Sequence, residues 1–416
     1  MILRLALGSL LARSLTVGLT VMSIAVSVAL FLAVEKVRTG AKASFADTIS
    51  DTDLIVGARS GSVQLLLYSV FRIGTPTNNV TWESYQDIAR QPAVDWIVPI
   101  SLGDSHHQFR VMGTTTEFFE RYKYRGGRTL EFASGARMDD LFDAVIGADV
   151  ARTLDYDIGQ SIVVSHGIAS FSEHDDTPFR VSGILEKTGT PVDRTVIVSL
   201  EGIEAIHVDW QGGGRRPGAA TPESVIREMD LEPAAITAAL LGVSSRPQLF
   251  GLQRWINTYP EEPLLAVLPG LALQELWQIT GIAEIALVGV SAMVIVASIL
   301  GMMAVTLASL SERRREMAIL RAMGARPGTI VGLLLSEAVL TAACGVIAGL
   351  ALLYSGLAVA RPIIDSAFGL WLPISWPSER EFLVMLAVVA GAAVASLVPA
   401  LRAYRFSLAD GMMVKT

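Results

Sequence analysis

Charge is scarce in this chain. Lys, Arg, Asp and Glu make up 18% of its 416 residues, against about 25% in a soluble domain. Together with 51% hydrophobic content and a mean hydropathy of +0.49, that excludes an ordinary soluble protein. Cysteine is nearly absent as well. Cys344 stands alone, so no intrachain disulfide can form, and its apolar run disfavours a reactive thiolate. It is expected to be a small packing residue. Catalytic motifs are also missing: no HExxH pair, nucleophile elbow or dinucleotide fingerprint occurs in a suitable context. Nor is there a G-x-x-x-x-G-K-[ST] loop to cradle nucleotide phosphates. The chain is therefore read as no enzyme, with no cofactor and no nucleic-acid partner. Its net charge of −7 is unevenly distributed and identifies no partner.

What is present is long apolar runs. A helix needs about 20 apolar residues to cross a bilayer. Stretches 14–34, 285–311 and 382–401 reach that length without a charge, and 330–360 does so with one, Glu337. Arg4 and Arg13 precede the first run, as in a secretory signal. Its apolar length exceeds the roughly 7–15 residues of a signal core, however, and no clear small-x-small cleavage site follows. Four membrane helices are expected. The uncharged second run would extend about 40 Å as a helix at 1.5 Å per residue, more than the roughly 30 Å of hydrocarbon. It is expected to tilt or project outward as a stalk.

Basic residues orient these spans. Arg4 and Arg13 precede the first, five arginines (Arg313, Arg314, Arg315, Arg321, Arg326) join the second to the third, and Arg402, Arg405 and Lys415 follow the fourth. The positive-inside rule puts all three groups in the cytoplasm, with both termini inside and residues from about 35 to 284 outside. Glu337 falls near the cytoplasmic start of the third span, where a carboxylate costs less than at mid-bilayer. It reads as a snorkelling or interhelix-bonded group, with a proton or substrate relay as the alternative. Small residues at matching spacing, Gly345 with Gly349 and Gly391 with Ala395, suit close helix contacts.

The outer segment mixes alternating β-rich stretches (53–56, 95–99, 108–112, 161–165, 179–185, 195–200) with helical patterns (81–91, 139–142, 147–154, 249–259). An α+β domain in two lobes is expected. The Gly/Pro-rich stretch 211–221 reads as a flexible excursion. All five histidines lie in this segment. His106 and His107 are adjacent, so on a strand they point to opposite faces and do not converge on one ion. His174-Asp-Asp sits in a polar turn. No metal site is expected. The run 187–195, with Gly189 and Pro191, reads as an ordered turn between two β-runs, or else as a substrate or partner loop.

Residues 312–328, Glu-Arg-Arg-Arg-Glu-Met-Ala-Ile-Leu-Arg-Ala-Met-Gly-Ala-Arg-Pro-Gly, connect the second and third spans. At helical spacing Met317, Ile319, Leu320 and Met323 form an apolar stripe, and Gly324 is a natural helix stop. A topology anchor needs neither feature; a short amphipathic helix that passes a partner's movement to two spans needs both. From Arg313 to Ala325 the run resembles the coupling helix of MacB/FtsX/LolC-type permeases, the type VII ABC transporter subunits. Weaker likenesses are the pattern Val145-Ile-Gly-Ala-Asp-Val-Ala followed by Ile158-Gly-Gln-Ser-Ile, Glu337-Ala in the third span, and Pro399 with the tail that follows it.

The resemblance implies an architecture and a role. Residues 1–35 would form the cytoplasmic start and first span, and 36–281 a MacB-like outer domain with porter-like and sabre-like lobes, the inserted β lobe at roughly 145–205. Residues 282–416 would be the permease core with coupling helix 312–326. The chain would be an inner-membrane permease subunit working by mechanotransmission to export or extract a peptide, lipoprotein, lipid or small molecule. A separate cytoplasmic ATPase would hydrolyse ATP, and a second permease copy, identical or related, would complete a dimer in contact with membrane lipids. A periplasmic adaptor or other outer partner could join them. The implied ATPase-coupling residues are Arg314, Arg315, Glu316, Met317, Leu320, Arg321, Met323, Gly324 and Ala325. Met317, Leu320 and Met323 would enter a groove of the ATPase, with Glu316 and Arg321 at its rim. Two alternatives stay open: an FtsX-like regulator that activates a cell-wall hydrolase without transport, and a sensor or receptor unrelated to ABC proteins.

The arginine distribution makes a first prediction. In a Cys344-free background, a cysteine introduced near position 215 should react with an impermeant maleimide in intact cells, and one near 326 should be protected. Outside labelling at 326 would reverse the topology.

Overall fold

The computed structural model describes residues 2–166, 177–211, 214–215, 221–368 and 374–404. It divides into two compact units, one of Met1–Gly40, Gly281–Ile363 and Leu372–Thr416, the other of Ala41–Thr280 with Ile364–Trp371.

The first unit is built from α1 (Ile2–Ala12), α2 (Ser14–Asp47), α3 (Pro269–Glu312), α4 (Arg314–Ala322), α5 (Pro327–Phe368) and α6 (Glu379–Tyr404). Four of these, α2, α3, α5 and α6, are long and apolar enough to cross a membrane. Each outruns the apolar stretch that announced it, because hydropathy marks where hydrocarbon can solvate a helix and not where the helix ends. The largest difference is α3, a continuous helix of 44 residues, about 66 Å at 1.5 Å per residue. Ile24, Val28 and Leu32 of α2 meet Met302 of α3, Ala338, Ala342 and Val346 of α5, and Met385, Val388 and Ala392 of α6 in one core.

Close approach in this core depends on small residues. A Cβ at Gly345 would lie 2.7 Å from Ile24 Cγ2, and one at Gly349 would lie 2.8 Å from the Ala25 carbonyl oxygen and 3.1 Å from Val28 Cβ. These two glycines let α5 settle on α2, as their spacing predicted. Gly391 meets α3 instead, its Cβ position 3.2 Å from Ile299 Cδ1. Hydroxyls add a polar contact: Ser298 of α3 is hydrogen-bonded to Ser27 of α2, with Ser23 3.3 Å away. Cys344 differs from its expected packing role. It lies on the exposed side of α5, next to Gly345 but turned away from the core.

The second unit is organised by one large sheet. Its main strands are β1 (Leu54–Ala58), β2 (Val94–His106), β3 (Phe109–Thr114), β4 (Phe132–Gly135), β5 (Asp143–Ile146), β6 (Phe179–Leu185), β7 (Thr195–Ser199), β8 (Ala238–Val243) and β9 (Leu264–Val267), with two short strands, Ser161–Ile162 and Ser165–His166, paired to β6 and β2. They run in the order β9-β1-β8-β2-β3-β7-β5-β6-β4. Pairing is antiparallel except at β3–β7 and β5–β6. The strands of the stretch 145–205 are thus hydrogen-bonded into the same sheet as β1 and β2.

Side-chain alternation divides the cores by face. Leu54 and Val56 join Ile88, Leu252 and Ile256 on one side of β1, while Ile55 belongs to the other side. Likewise Ala144 and Ile146 of β5 pack with Val150, Ala205 and Ile206, and Val145 turns to the opposite core. That opposite core runs from Ile55 and Leu240 through Val98 and Met112 to Ile197 and Val145, under both halves of the sheet.

Short helices pack on the sheet where capping starts them. The Thr81 side chain accepts from Ser84 N–H at 3.3 Å to open Trp82–Ala89, and Ser199 accepts from Gly202 N–H at 2.9 Å to open Leu200–His207. The helix expected at 139–142 is a turn instead. Asp143 Oδ2 accepts the N–H groups of Asp139 and Asp140 at 3.0 Å each, and Asp140 Oδ1 accepts that of Phe142 at 3.2 Å. Aspartate side chains here offer the backbone a better local partner than a helical carbonyl.

The glycine contacts generate a prediction about the bundle. Gly349→Val should lower the thermal stability of the purified full chain in detergent, at a cost of about 1–3 kcal/mol for overpacking. Gly356→Ala, with open space around it, should not lower the melt, since alanine suits a helix interior better than glycine by about 0.5–1 kcal/mol. An unshifted melt for Gly349→Val would mean that α2 and α5 separate without loss.

Candidate functional site

The chain turns between α3 and α4 at Arg313, and its side chain sets the local structure. Arg313 Nη1 donates to Glu337 Oε2 at 2.7 Å and Nη2 to Glu337 Oε1 at 2.8 Å. Both residues are buried, at 6% and 8% exposure. Nη2 also donates to Ser9 Oγ of α1 at 2.6 Å. Arg13, between α1 and α2, stands 4.0 Å from Glu337. The Glu337 carboxylate is therefore bonded between helices, as read from the sequence. Its partner is not evident in the sequence, where Arg313 reads as one of five arginines expected on a single side of the membrane. No sequence spacing signals a pair 24 residues apart.

One turn on, Met317 N–H donates to the Arg313 carbonyl at 3.0 Å, so Met317 faces the same way as the pair. Met317 is 7% exposed and packs with Leu310 of α3, Ile330 and Leu334 of α5, and Ala400 and Ala403 of α6. Of the residues expected to meet an ATPase, Met317 is thus occupied within the chain. Leu320 is half-buried and Arg321 likewise. The outward apolar residues are Ile319 at 51% and Met323 at 72% exposure. Glu316 is exposed on their side of the helix, its Oε2 3.6 Å from Arg313 Nε. Residues 316, 319 and 323 follow helical spacing, so the outer face combines one carboxylate with two apolar side chains. The side chains of Arg314 and Arg315 lie outside the described residues.

The helix stops as the sequence predicted. Gly324 has φ +95°, Ala325 N–H donates to the Leu320 carbonyl and Gly324 N–H to the Arg321 carbonyl, both at 3.0 Å. That is the double hydrogen bond of a Schellman stop, and the left-handed residue in it favours glycine. Pro327 then opens α5 at its first position, where its missing N–H costs nothing.

A second set of charges lies at the other end of the bundle. Lys36 Nζ is 3.2 Å from Glu381 and donates to the Ser375 carbonyl, Ser375 Oγ and the Trp376 carbonyl at 3.1–3.3 Å. Beside it Arg38 donates to both Glu35 oxygens at 2.7 and 3.1 Å and reaches Glu284, while Arg380 is 3.6 Å from Glu35. These groups tie α2 to α3 and α6. The sequence signal was the pair of charge clusters flanking the first and fourth spans.

In the β-rich unit the histidines do other work. His106 is buried, with Nδ1 2.6 Å from the Val163 carbonyl and Nε2 3.0 Å from the Tyr156 hydroxyl; burial lowers its pKa. His107 is in the turn after β2, with φ +52°, and its ring meets that of His106 edge-on at 4.4 Å. Both are thus close, unlike two residues of one strand, but His106 is committed to its own hydrogen bonds. Among the described residues no group of three or more His, Cys, Asp or Glu could hold a metal. His174 and most of the stretch 211–221 lie outside the described residues. The run 187–195 is an ordered turn: Asp193 accepts from Thr188 N–H, Thr188 Oγ1 and Gly189 N–H at 2.6–2.8 Å, and Lys187 Nζ is 2.8 Å from both Asp149 oxygens. Burial pushes the Asp193 carboxyl above its ordinary range.

Residues 17–230 match the MacB-like periplasmic core domain, just over half of the chain, and residues 288–408 match the FtsX-like permease C-terminal domain. Among solved structures, the periplasmic region of MacB from Actinobacillus actinomycetemcomitans is similar at 10% identity. That match covers 55% of this chain and 94% of that one, with a TM-score of 0.34. The extracellular domain of the noncanonic ABC-type transporter YknZ from Gram-positive bacteria is similar at 12% identity, covering 52% and 99%, with a TM-score of 0.30. No curated protein matches the chain.

The buried pair supplies the prediction of this site. Arg313→Leu or Glu337→Leu alone should destabilise the chain by about 3–5 kcal/mol, since each leaves an uncompensated buried charge. The double variant should recover most of that loss, as read by chemical unfolding in micelles. Fully additive losses would mean that the two groups do not depend on each other.

Proposed function

Because the chain belongs to the MacB/FtsX-type ABC permease family, we propose that this ABC transporter membrane subunit passes the work of a separate ATPase to its outer domain. The ATPase docks on α4 from the cytoplasm. Glu316, Ile319 and Met323 form the contact face, Leu320, Arg321 and Ala325 its border, and Arg314 and Arg315 add cationic partners beside it. Met317 acts from behind, holding α4 against α3, α5 and α6. Gly324 fixes where the helix turns into α5. Both termini are cytoplasmic, and the β-rich unit lies outside as the domain that moves. A second permease copy completes the assembly, and the cargo is a peptide, lipoprotein, lipid or small molecule handled by mechanotransmission.

The observation that carries this reading is the two-sidedness of α4. One face is seated in the bundle by Met317 and Ala318, and the opposite face leaves Ile319 and Met323 uncovered beside Glu316. A helix that is bolted on one side and apolar on the other is suited to receive a push and hand it to two spans. The continuous α3 supports the same reading, because it contributes Ala272 and Leu273 to the core of the β-rich unit and ends at Glu312.

The test separates the two faces. Met323→Asp should insert and melt like wild type yet lose ATPase co-purification by roughly 10- to 100-fold, since burying an apolar side chain is worth about 1.5–3 kcal/mol. Met317→Asp should instead lower the stability of the bundle itself. Normal recruitment and stimulation of the ATPase by Met323→Asp would reduce α4 to a topology anchor.

A further inference from the structure

At the end of the bundle opposite α4, the chain enters α6 through a short lip, residues 374–378, whose backbone is held from three sides. Lys36 Nζ donates to the Ser375 and Trp376 carbonyls and to Ser375 Oγ at 3.1–3.3 Å. Tyr354 of α5 gives its hydroxyl proton to the Ser375 carbonyl at 2.9 Å. Glu381 Oε2 accepts from Ser378 N–H at 2.8 Å, Ser378 Oγ accepts from Glu381 N–H at 3.3 Å, and the same carboxylate lies 3.2 Å from Lys36. That reciprocal pair is a capping box, so the lip and the start of α6 are set together. The side chain left outside is Trp376, at 90% exposure, with Ile374 two residues back at 46%. Among the described residues nothing accepts from the Trp376 indole N–H.

The residues that hold the lip also mark a depth. Lys36 comes two positions after the first apolar run ends at Val34, Tyr354 lies within the run 330–360, and Glu381 immediately precedes the run 382–401. The peptide they hold is therefore at the boundary of the hydrocarbon, and the ring attached to it is at that level too. Tryptophan suits this layer, because its ring favours apolar surroundings while its N–H can donate to the ester and phosphate oxygens of lipids. A protein partner fits less well. A tryptophan buries about 150–250 Å², and two side chains fall far short of the roughly 800 Å² that each partner of a stable protein interface buries. Glu379 and Arg380, which follow and are exposed, are charged and extend no apolar patch. We propose that the lip docks on the lipid interface, with the Trp376 ring among the headgroups and ester carbonyls at the end of the bundle away from α4 and Ile374 on its apolar side.

The test reads the depth of the ring. The full chain, labelled with fluorotryptophan, is placed in nanodiscs of phosphatidylcholine and phosphatidylglycerol. Trp376→Phe, an exposed change that leaves the fold intact, identifies its fluorine resonance among those of the seven tryptophans. Three paramagnetic probes are compared: a spin label on the lipid headgroup, a spin label at the end of the acyl chain, and a water-soluble gadolinium chelate. The Trp376 resonance should lose more intensity with the headgroup label than with the acyl-end label. Loss with the gadolinium chelate but with neither lipid label would put the ring in water. Protection from all three would mean that a protein surface covers it, a second copy of this chain included. Greatest loss with the acyl-end label would bury it in hydrocarbon. Each of these three results overturns the proposal.

Discussion

The membrane unit depends on the ion pair between Arg313 and Glu337. Each charge would be costly to bury alone; together, in a bidentate geometry with Ser9 on a further donor, they fix a single arrangement of α1, α3 and α5. Such pairs add little net stability compared with a well-packed apolar substitute, but they penalise every arrangement that separates them. The pair sits at the turn into α4, so it also sets the rotation of that helix. Once Arg313 points inward, Met317 must follow, and Ile319 and Met323 must face out. A charge pair inside the bundle thereby decides which apolar side chains a partner could touch.

Much of the membrane unit was legible in the sequence because its signals are local. Four apolar runs gave four helices, Gly324 ended α4, and Gly345 and Gly349 met a neighbouring helix. The direction of individual side chains on α4 was not legible. A stripe of Met317, Ile319, Leu320 and Met323 spans about 160° of the helix circumference, and spacing alone does not say which part the chain keeps for itself. Arg313 was hidden for a related reason: among five arginines between two spans, nothing in the composition marks the one that turns back. Cys344 shows the same limit in an apolar run, where inward and lipid-facing positions read alike.

The β-rich unit was half legible. β6 alternates clearly and fell where expected. β8 and β9 were missed because Ala238–Val243 and Leu264–Val267 are apolar on both faces, and such runs carry no period-2 signal. A parallel junction between β3 and β7 joins both halves of the sheet, and the core containing Ile55, Met112 and Val145 lies under both. Stress applied to one half is carried to the other through backbone ladders.

The placement of β1 and β9 has one more consequence. The strand by which the chain enters this unit pairs directly with the strand by which it leaves, Ile55 opposite Val267 and Ala58 opposite Leu264. A domain whose two ends are neighbours behaves as a cassette: it can be lifted out of its host helices or replaced by another of similar end spacing without stretching the host. Evolution could therefore revise what the outer domain recognises together with the helix ends that pack on it, and an engineer could do the same by moving the last turn of α2 and the first turns of α3, with Phe45, Ala272 and Leu273, along with the domain.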